Sequence, residues 1–93
     1  MGRASRQKPI HLARKLIEIR TQLDLSQNAI LKLMGLDDSL TREEISAFER
    51  GIRVPSLPVL LRYAKVAGVC LDILANDDLE LPAKLPSKPK HKV

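Results

Sequence analysis

Few side chains in this sequence have catalytic or metal-ligating chemistry, and their spacing assembles neither. The two histidines, His11 and His91, have no ligand-spaced neighbours, so neither a metal site nor a catalytic triad can be built around them. The single cysteine, Cys70, lies in an apolar run where a buried, inert thiol is expected, and alone it forms no internal disulfide. No nucleophile–base pair and no phosphate-cradling glycine loop occurs. An enzyme, a metal centre and a bound cofactor are therefore not expected. What remains is cationic and hydrogen-bonding chemistry, with 16 Lys and Arg against 11 Asp and Glu and a net charge of +5. That balance permits a nucleic-acid partner without requiring one. Residues 1–20 carry six basic side chains against Glu18, whereas residues 36–51 carry five acidic ones against Arg42 and Arg50.

The elements that must position these groups are short helices. Ninety-three residues with 44% hydrophobic and 2% aromatic content suit a small aliphatic-cored helical domain. No apolar run is long enough for a membrane span, and the N-terminus lacks a signal-peptide core. The unpaired cysteine points mildly to a reducing compartment, and a cytoplasmic location is expected.

The stretch Leu25–Gly51 reads as helix, turn, helix. Ser26-Gln27 opens the first of the two, Ile30, Leu33 and Met34 recur at helical spacing, and Gly35 closes it. After the polar turn Asp37-Asp38-Ser39, Thr41-Arg42-Glu43-Glu44 has the form of a capping box, and the next helix runs to Glu49 and stops at Gly51. Such a pair is the minimal device for laying one helix in a DNA major groove. Upstream, Pro9 suits a first helical turn, and Ala13, Leu16, Ile17 and Leu23 form an apolar stripe on which Arg20 also falls. A charge on that face needs a partner. Glu49 shares the predicted inner face of Ile45, Phe48 and Ile52, so Arg20 and Glu49 are each misplaced alone and sensible as a partly buried ion pair. The alternative is that both reach solvent from the stripe edges.

Downstream, Pro55 ends any helix, Ser56 is a candidate N-cap, and Leu57, Leu60, Leu61, Ala64 and Ala67 predict a fourth helix ending at Gly68. Asp72-Ile73-Leu74 can start a one-turn fifth. Residues 1–8 read as a basic arm, either a frayed terminus or a phosphate or minor-groove contact through Arg3, Arg6 and Lys8. Residues 9–76 form the expected domain. Residues 77–93 are expected to be extended or disordered, since residues 82–93 hold three Pro and four Lys with little to bury.

Leu25-Ser26-Gln27, Gly35, Ile45-Ser46, Glu49-Arg50-Gly51, Pro55-Ser56, Leu60 to Lys65, and Gly68-Val69 with Leu71-Asp72 and Leu74 together resemble the Cro/C1-type (XRE-like) helix-turn-helix family over about residues 10–75. The resemblance implies an all-α, compact five-helix lambda-repressor-like domain. It also implies a prokaryotic regulator, typically a repressor, that binds operators as a homodimer. Position by position, Gln27 resembles the phosphate-contacting glutamine at the start of the second helix. Arg42, Glu43 and Ala47 resemble the base-facing positions, and Arg20 with Glu49 the family's ion pair. The sequence departs from the pattern in a lengthened turn between Gly35 and Ile45 and in Leu31, where an alanine is usual.

Sequence-specific binding of double-stranded DNA is therefore the leading expectation. Ser26 and Gln27 would hold one phosphate, Arg50 and Arg53 others, and Arg42 would contact guanine, with Ser46 on the same surface. For each arginine the alternative is a solvated surface charge. Glu43 serves either the helix dipole or a cytosine N4 contact. The competing reading is a protein-interaction module, or an antitoxin-like half of a pair, in which the acidic turn meets a partner protein. A dimer contact is expected near residues 66–81, where Val69, Leu71, Leu79 and Leu81 lack a clear core role.

Overall fold

Where each helix can begin and end is decided by a handful of caps. The computed structural model describes residues 10–86, which form α1 (Leu12–Gln22), α2 (Gln27–Met34), α3 (Arg42–Glu49), α4 (Leu57–Ala67) and α5 (Leu71–Ala75). The Ser26 side chain accepts the Ala29 N–H at 3.0 Å and starts α2. Gly35 ends α2 in the left-handed region at φ 72°, where a side chain would be strained. Arg62 on α4 donates to the Met34 carbonyl, adding a cation to that C-terminal end. Thr41 and Glu44 form both halves of a capping box on α3. Ser56 precedes α4 with extended backbone and Gly68 ends it, again left-handed.

The helices enclose one aliphatic core around the fully buried Leu16, Ile19, Ile30, Met34, Ile45, Tyr63 and Leu74. Helix α1 packs against α3, α4 and α5, and that packing selects its inner side. The buried side is Leu12, Lys15, Leu16, Ile19 and Leu23: Leu16 and Leu23 of the predicted stripe are buried, but Ile17 is exposed and Leu12, Lys15 and Ile19 take the inner positions. Similar corrections apply to Leu33, Ile52, Leu57 and Leu61, all exposed although their spacing placed them inward. Cys70 is exposed too, because it sits at the N-cap of α5 rather than inside an apolar helix.

The lengthened turn after α2 folds back on itself instead of spreading outward. Leu36 N–H donates to the Leu31 carbonyl at 3.0 Å, and both Ser39 and Leu40 donate to the Leu36 carbonyl at 2.9 Å. Leu36 and Leu40 pack on the core, leaving Asp37, Asp38 and Ser39 outside. Leu31 itself is buried.

Residues 77–86 carry no helix, yet they lie along α1 rather than leaving the domain. The Asp77 carboxylate accepts the N–H groups of Ile10 at 3.0 Å and His11 at 3.1 Å, just ahead of α1. Arg14 pairs with Glu80 at 3.3 Å, and Leu85 is buried with its N–H donating to Gln22 Oε1 at 3.1 Å. The buried Lys15 completes the attachment: its Nζ donates to the carbonyls of Ile73 at 2.7 Å and Asn76 at 3.0 Å, closing the C-terminal end of α5. The packed domain thus extends past residue 76 to Leu85. The basic arm with Arg3, Arg6 and Lys8, and residues 87–93, lie outside the described residues.

The Asp77 carboxyl is held below its ordinary value of 3.8, first by the Ile10 N–H and then by that of His11. A carboxyl depressed by folding adds stability above its unfolded pKa and loses it as pH falls through the folded one. Asp77→Asn is therefore expected to lower the melting temperature at neutral pH. The difference from the parent should narrow as pH drops below about 4, as followed by circular dichroism across an acid series.

Candidate nucleic-acid interface

The inner side of α3 presents Ile45, Phe48 and Glu49 to the core. With 3.6 residues per turn, Glu43, Ala47 and Arg50 then lie on the opposite side, with Arg42 and Ser46 on one flank. Arg42, Glu43 and Arg50 are exposed and Ser46 and Ala47 half-buried, so the outer side of α3 is not covered by the folded-back turn.

One carboxylate fixes where that surface lies. Arg20 Nε donates to Glu49 Oε2 at 2.7 Å and Arg20 Nη2 to Glu49 Oε1 at 3.0 Å, a two-point contact between α1 and α3. The side chains are 23% and 5% exposed, so Glu49 has little water to fall back on. Arg20 Nη1 also donates to the Leu25 carbonyl at 3.1 Å, which ties the α1–α2 turn to the same guanidinium. The hydrogen bond to Glu49 holds the Arg20 proton more firmly than in water. Gln27 Nε2 donates to Glu49 Oε1 at 3.1 Å, so the first residue of α2 is oriented from the last residue of α3. The Arg20–Glu49 contact follows from the two misplaced charges in the sequence. The Gln27 link carries no periodic signal and needs the fold to reveal it.

Around this anchor the polar groups fall into two sets. At the amino end of α2, helix geometry leaves the first amides without intrahelical acceptors, and Ser26 and the Gln27 side chain flank them. On and after α3 the arginines are shared with local partners. Arg42 Nη2 lies 3.6 Å from Glu43 Oε2, and Arg53 Nη1 lies 3.6 Å from Glu44 Oε2. Arg50 Nε donates to Ser46 Oγ at 3.2 Å. Exposed pairs of this kind contribute about 0–1 kcal/mol and exchange readily for another anion. The surface therefore holds hydrogen-bond donors and tethered cations on two adjacent helix ends. That arrangement can bind a polyanion and present a short helix to it.

The helix-turn-helix family profile matches residues 16–74, more than half of the chain and nearly the whole five-helix body. The chain belongs to the Cro/C1-type helix-turn-helix family. Membership makes this a DNA-binding helix-turn-helix domain of the regulator type. No curated protein matches the chain. Among the described residues no helix is long and apolar enough to cross a membrane. Within the family frame α2 and α3 are the two helices of the motif, and the Arg20–Glu49 pair braces them against α1.

The Tyr63 hydroxyl is buried close to this pair with no hydrogen-bond partner among the described residues. Burial, with Glu49 adding and Arg20 opposing, raises its ionisation far above that of a free phenol. An orphaned buried hydroxyl costs stability, so Tyr63→Phe is expected to leave the urea midpoint unchanged or higher. By contrast Glu49→Ala strands Arg20 and should cost about 3 kcal/mol. Replacing both partners together (Arg20→Met with Glu49→Leu) should cost less than either single change in the same denaturation series.

Proposed function

We propose that this protein is a sequence-specific regulator that reads duplex DNA with the outer side of α3, and that it acts as a repressor by occupying its site. The observation that carries the reading is the joint presentation of two elements. The amino end of α2 and the exposed side of α3 are held in one frame by Glu49, which bonds to Arg20 and Gln27 together. In this reading Ser26, Gln27 and the first α2 amides hold one phosphate, while Arg50 and Arg53 hold others. Arg42 leaves Glu43 for a guanine edge, a contact worth about 1–3 kcal/mol of discrimination. Glu43 then accepts from a cytosine N4 or stays as a dipole partner, and Ser46 and Ala47 line the same approach.

A helix of eight residues spans about 12 Å and reaches only a few base pairs. Useful specificity therefore calls for two copies on half-sites about one DNA turn apart. The apolar surface available for pairing differs from the sequence expectation. Val69, Leu71 and Leu81 pack on the core, whereas Leu57 and Leu61 of α4 stand exposed, with Leu79 at the edge of exposure. We place the homodimer contact on α4 for that reason.

A protein partner is the second reading. The observation favouring it is the exposed Asp37-Asp38-Ser39 turn beside the acidic start of α3, which repels phosphate and suits a basic protein surface. Failure to bind random duplex at low salt, with capture of a basic partner protein, would replace the regulator reading.

Titrations of Arg42→Ala and Arg53→Ala at several salt concentrations separate base reading from phosphate holding. Arg42→Ala should flatten the preference among duplexes. Arg53→Ala should weaken all duplexes alike and reduce the salt slope by about 0.9. Identical behaviour of the two variants would overturn these roles.

A further inference from the structure

Between the start of α1 and the loop that follows α3 the surface is concave. The hollow there has a volume of about 250 Å³. Leu12 and Phe48 are its buried lining, while Ile10 and Val54 line it at 76% and 44% exposure. Exposed apolar side chains gathered at a concavity are the usual lining of a small-molecule site. Ala13 and Gly51 complete the wall with little or no side chain. A Cβ at Gly51 would touch the Ala13 Cβ at 3.8 Å, so the gap between these two residues is narrow and easily filled.

The lining carries one charge, that of Arg53. Its Nη1 lies 3.6 Å from Glu44 Oε2, with the arginine side chain 60% exposed. Glu44 stands four residues before Phe48, one turn along the same side of α3. The guanidinium therefore sits at the edge of the hollow. Glu44 does not depend on it: its Oε1 accepts the Thr41 N–H at 2.9 Å within the capping box. Arg53 can turn to another anion without stranding Glu44.

We propose that the hollow is a ligand site for a small apolar carboxylate, a short acyl chain or ring with one anionic end, and that its occupant competes with DNA for Arg53. Ile10, Phe48 and Val54 supply the apolar contact, and the guanidinium supplies the paired donors that a carboxylate accepts. A volume below the roughly 300–1,000 Å³ of drug-sized sites restricts the ligand to a small one. Glu44 disfavours a second negative charge on it. The competition rests on the reading of Arg53 as a phosphate-holding residue, whereas binding of the carboxylate does not.

The test uses the full chain with octanoate as probe, octanol as its uncharged counterpart, and acetate at equal ionic strength as the salt control. In NMR titrations octanoate should shift the Ile10, Phe48 and Val54 resonances saturably and bind about tenfold more tightly than octanol. Arg53→Gln should reduce octanoate to the level of octanol, and Val54→Asp should weaken it by placing a like charge on an exposed rim position. Ala13→Leu should fill the hollow and abolish octanoate binding while keeping the duplex affinity of the parent. Saturating octanoate should lower the parent's duplex affinity to that of Arg53→Gln and leave Arg53→Gln itself unchanged, and acetate should do neither. If octanoate gives no saturable shift, or if the shifts follow protein concentration because a second copy covers the hollow, the inference falls while the regulator reading stands. Equal binding of octanol overturns the carboxylate, and octanoate binding without loss of duplex affinity overturns the competition. If the parent binds no duplex at low salt, the regulator reading and the competition fall, and the octanoate titration still decides the site.

Discussion

Glu49 is the residue through which three helices agree on their positions. Its two oxygens serve Arg20 from α1 and Gln27 from α2, while its own backbone belongs to α3. Burying a carboxylate is costly, and the geometry that offsets the cost is narrow, since two parallel guanidinium bonds tolerate little sliding. An aliphatic core can accommodate small shifts between short helices, because apolar contacts have no direction. The ion pair removes that freedom. It is therefore better understood as a constraint on where α3 points than as a large source of stability.

The electrostatics of the exposed side follow from how α3 is started. Glu44 caps the helix and Glu43 suits its dipole, so the local folding requirement places carboxylates in the first turn. Arg42 and Arg53 answer those carboxylates at 3.6 Å. Binding a polyanion at this surface is then an exchange of one anion for another. The net gain per arginine is smaller than for a free cation.

Helix α5, with five residues, is too short to hold itself. Leu74 plugs it into the core, and Lys15 reaches from α1 to bond to its terminal carbonyls. The chain then continues along α1, where Asp77 and Leu85 attach the two ends of this segment. The smallest helix and the segment after it thus depend on α1, which also carries Arg20. Disturbing α1 reaches both the orientation of α3 and the docking of residues 77–86.

Local chemistry made much of this legible from residue order alone. Ser26, Thr41 with Glu44, Gly35 and Gly68 mark helix ends by bonds and backbone angles that involve only near neighbours, so five helices and the motif follow without coordinates. Arg20 and Glu49 were also readable, because a charge on an apolar stripe demands a partner. Tertiary structure decided what depends on distant neighbours. Ile17 and Lys15 show this most clearly: periodicity allows either side of α1 to be buried, and only the arrival of α5 and its carbonyls makes a lysine the inner residue. Leu36, Leu40 and Leu85 sit in turns or Pro-rich sequence with no repeat to announce them, and their burial exists only because another element passes over them. Local bonds set where helices start and stop, while contacts between residues far apart in sequence settle which sides face inward and where residues 77–86 lie.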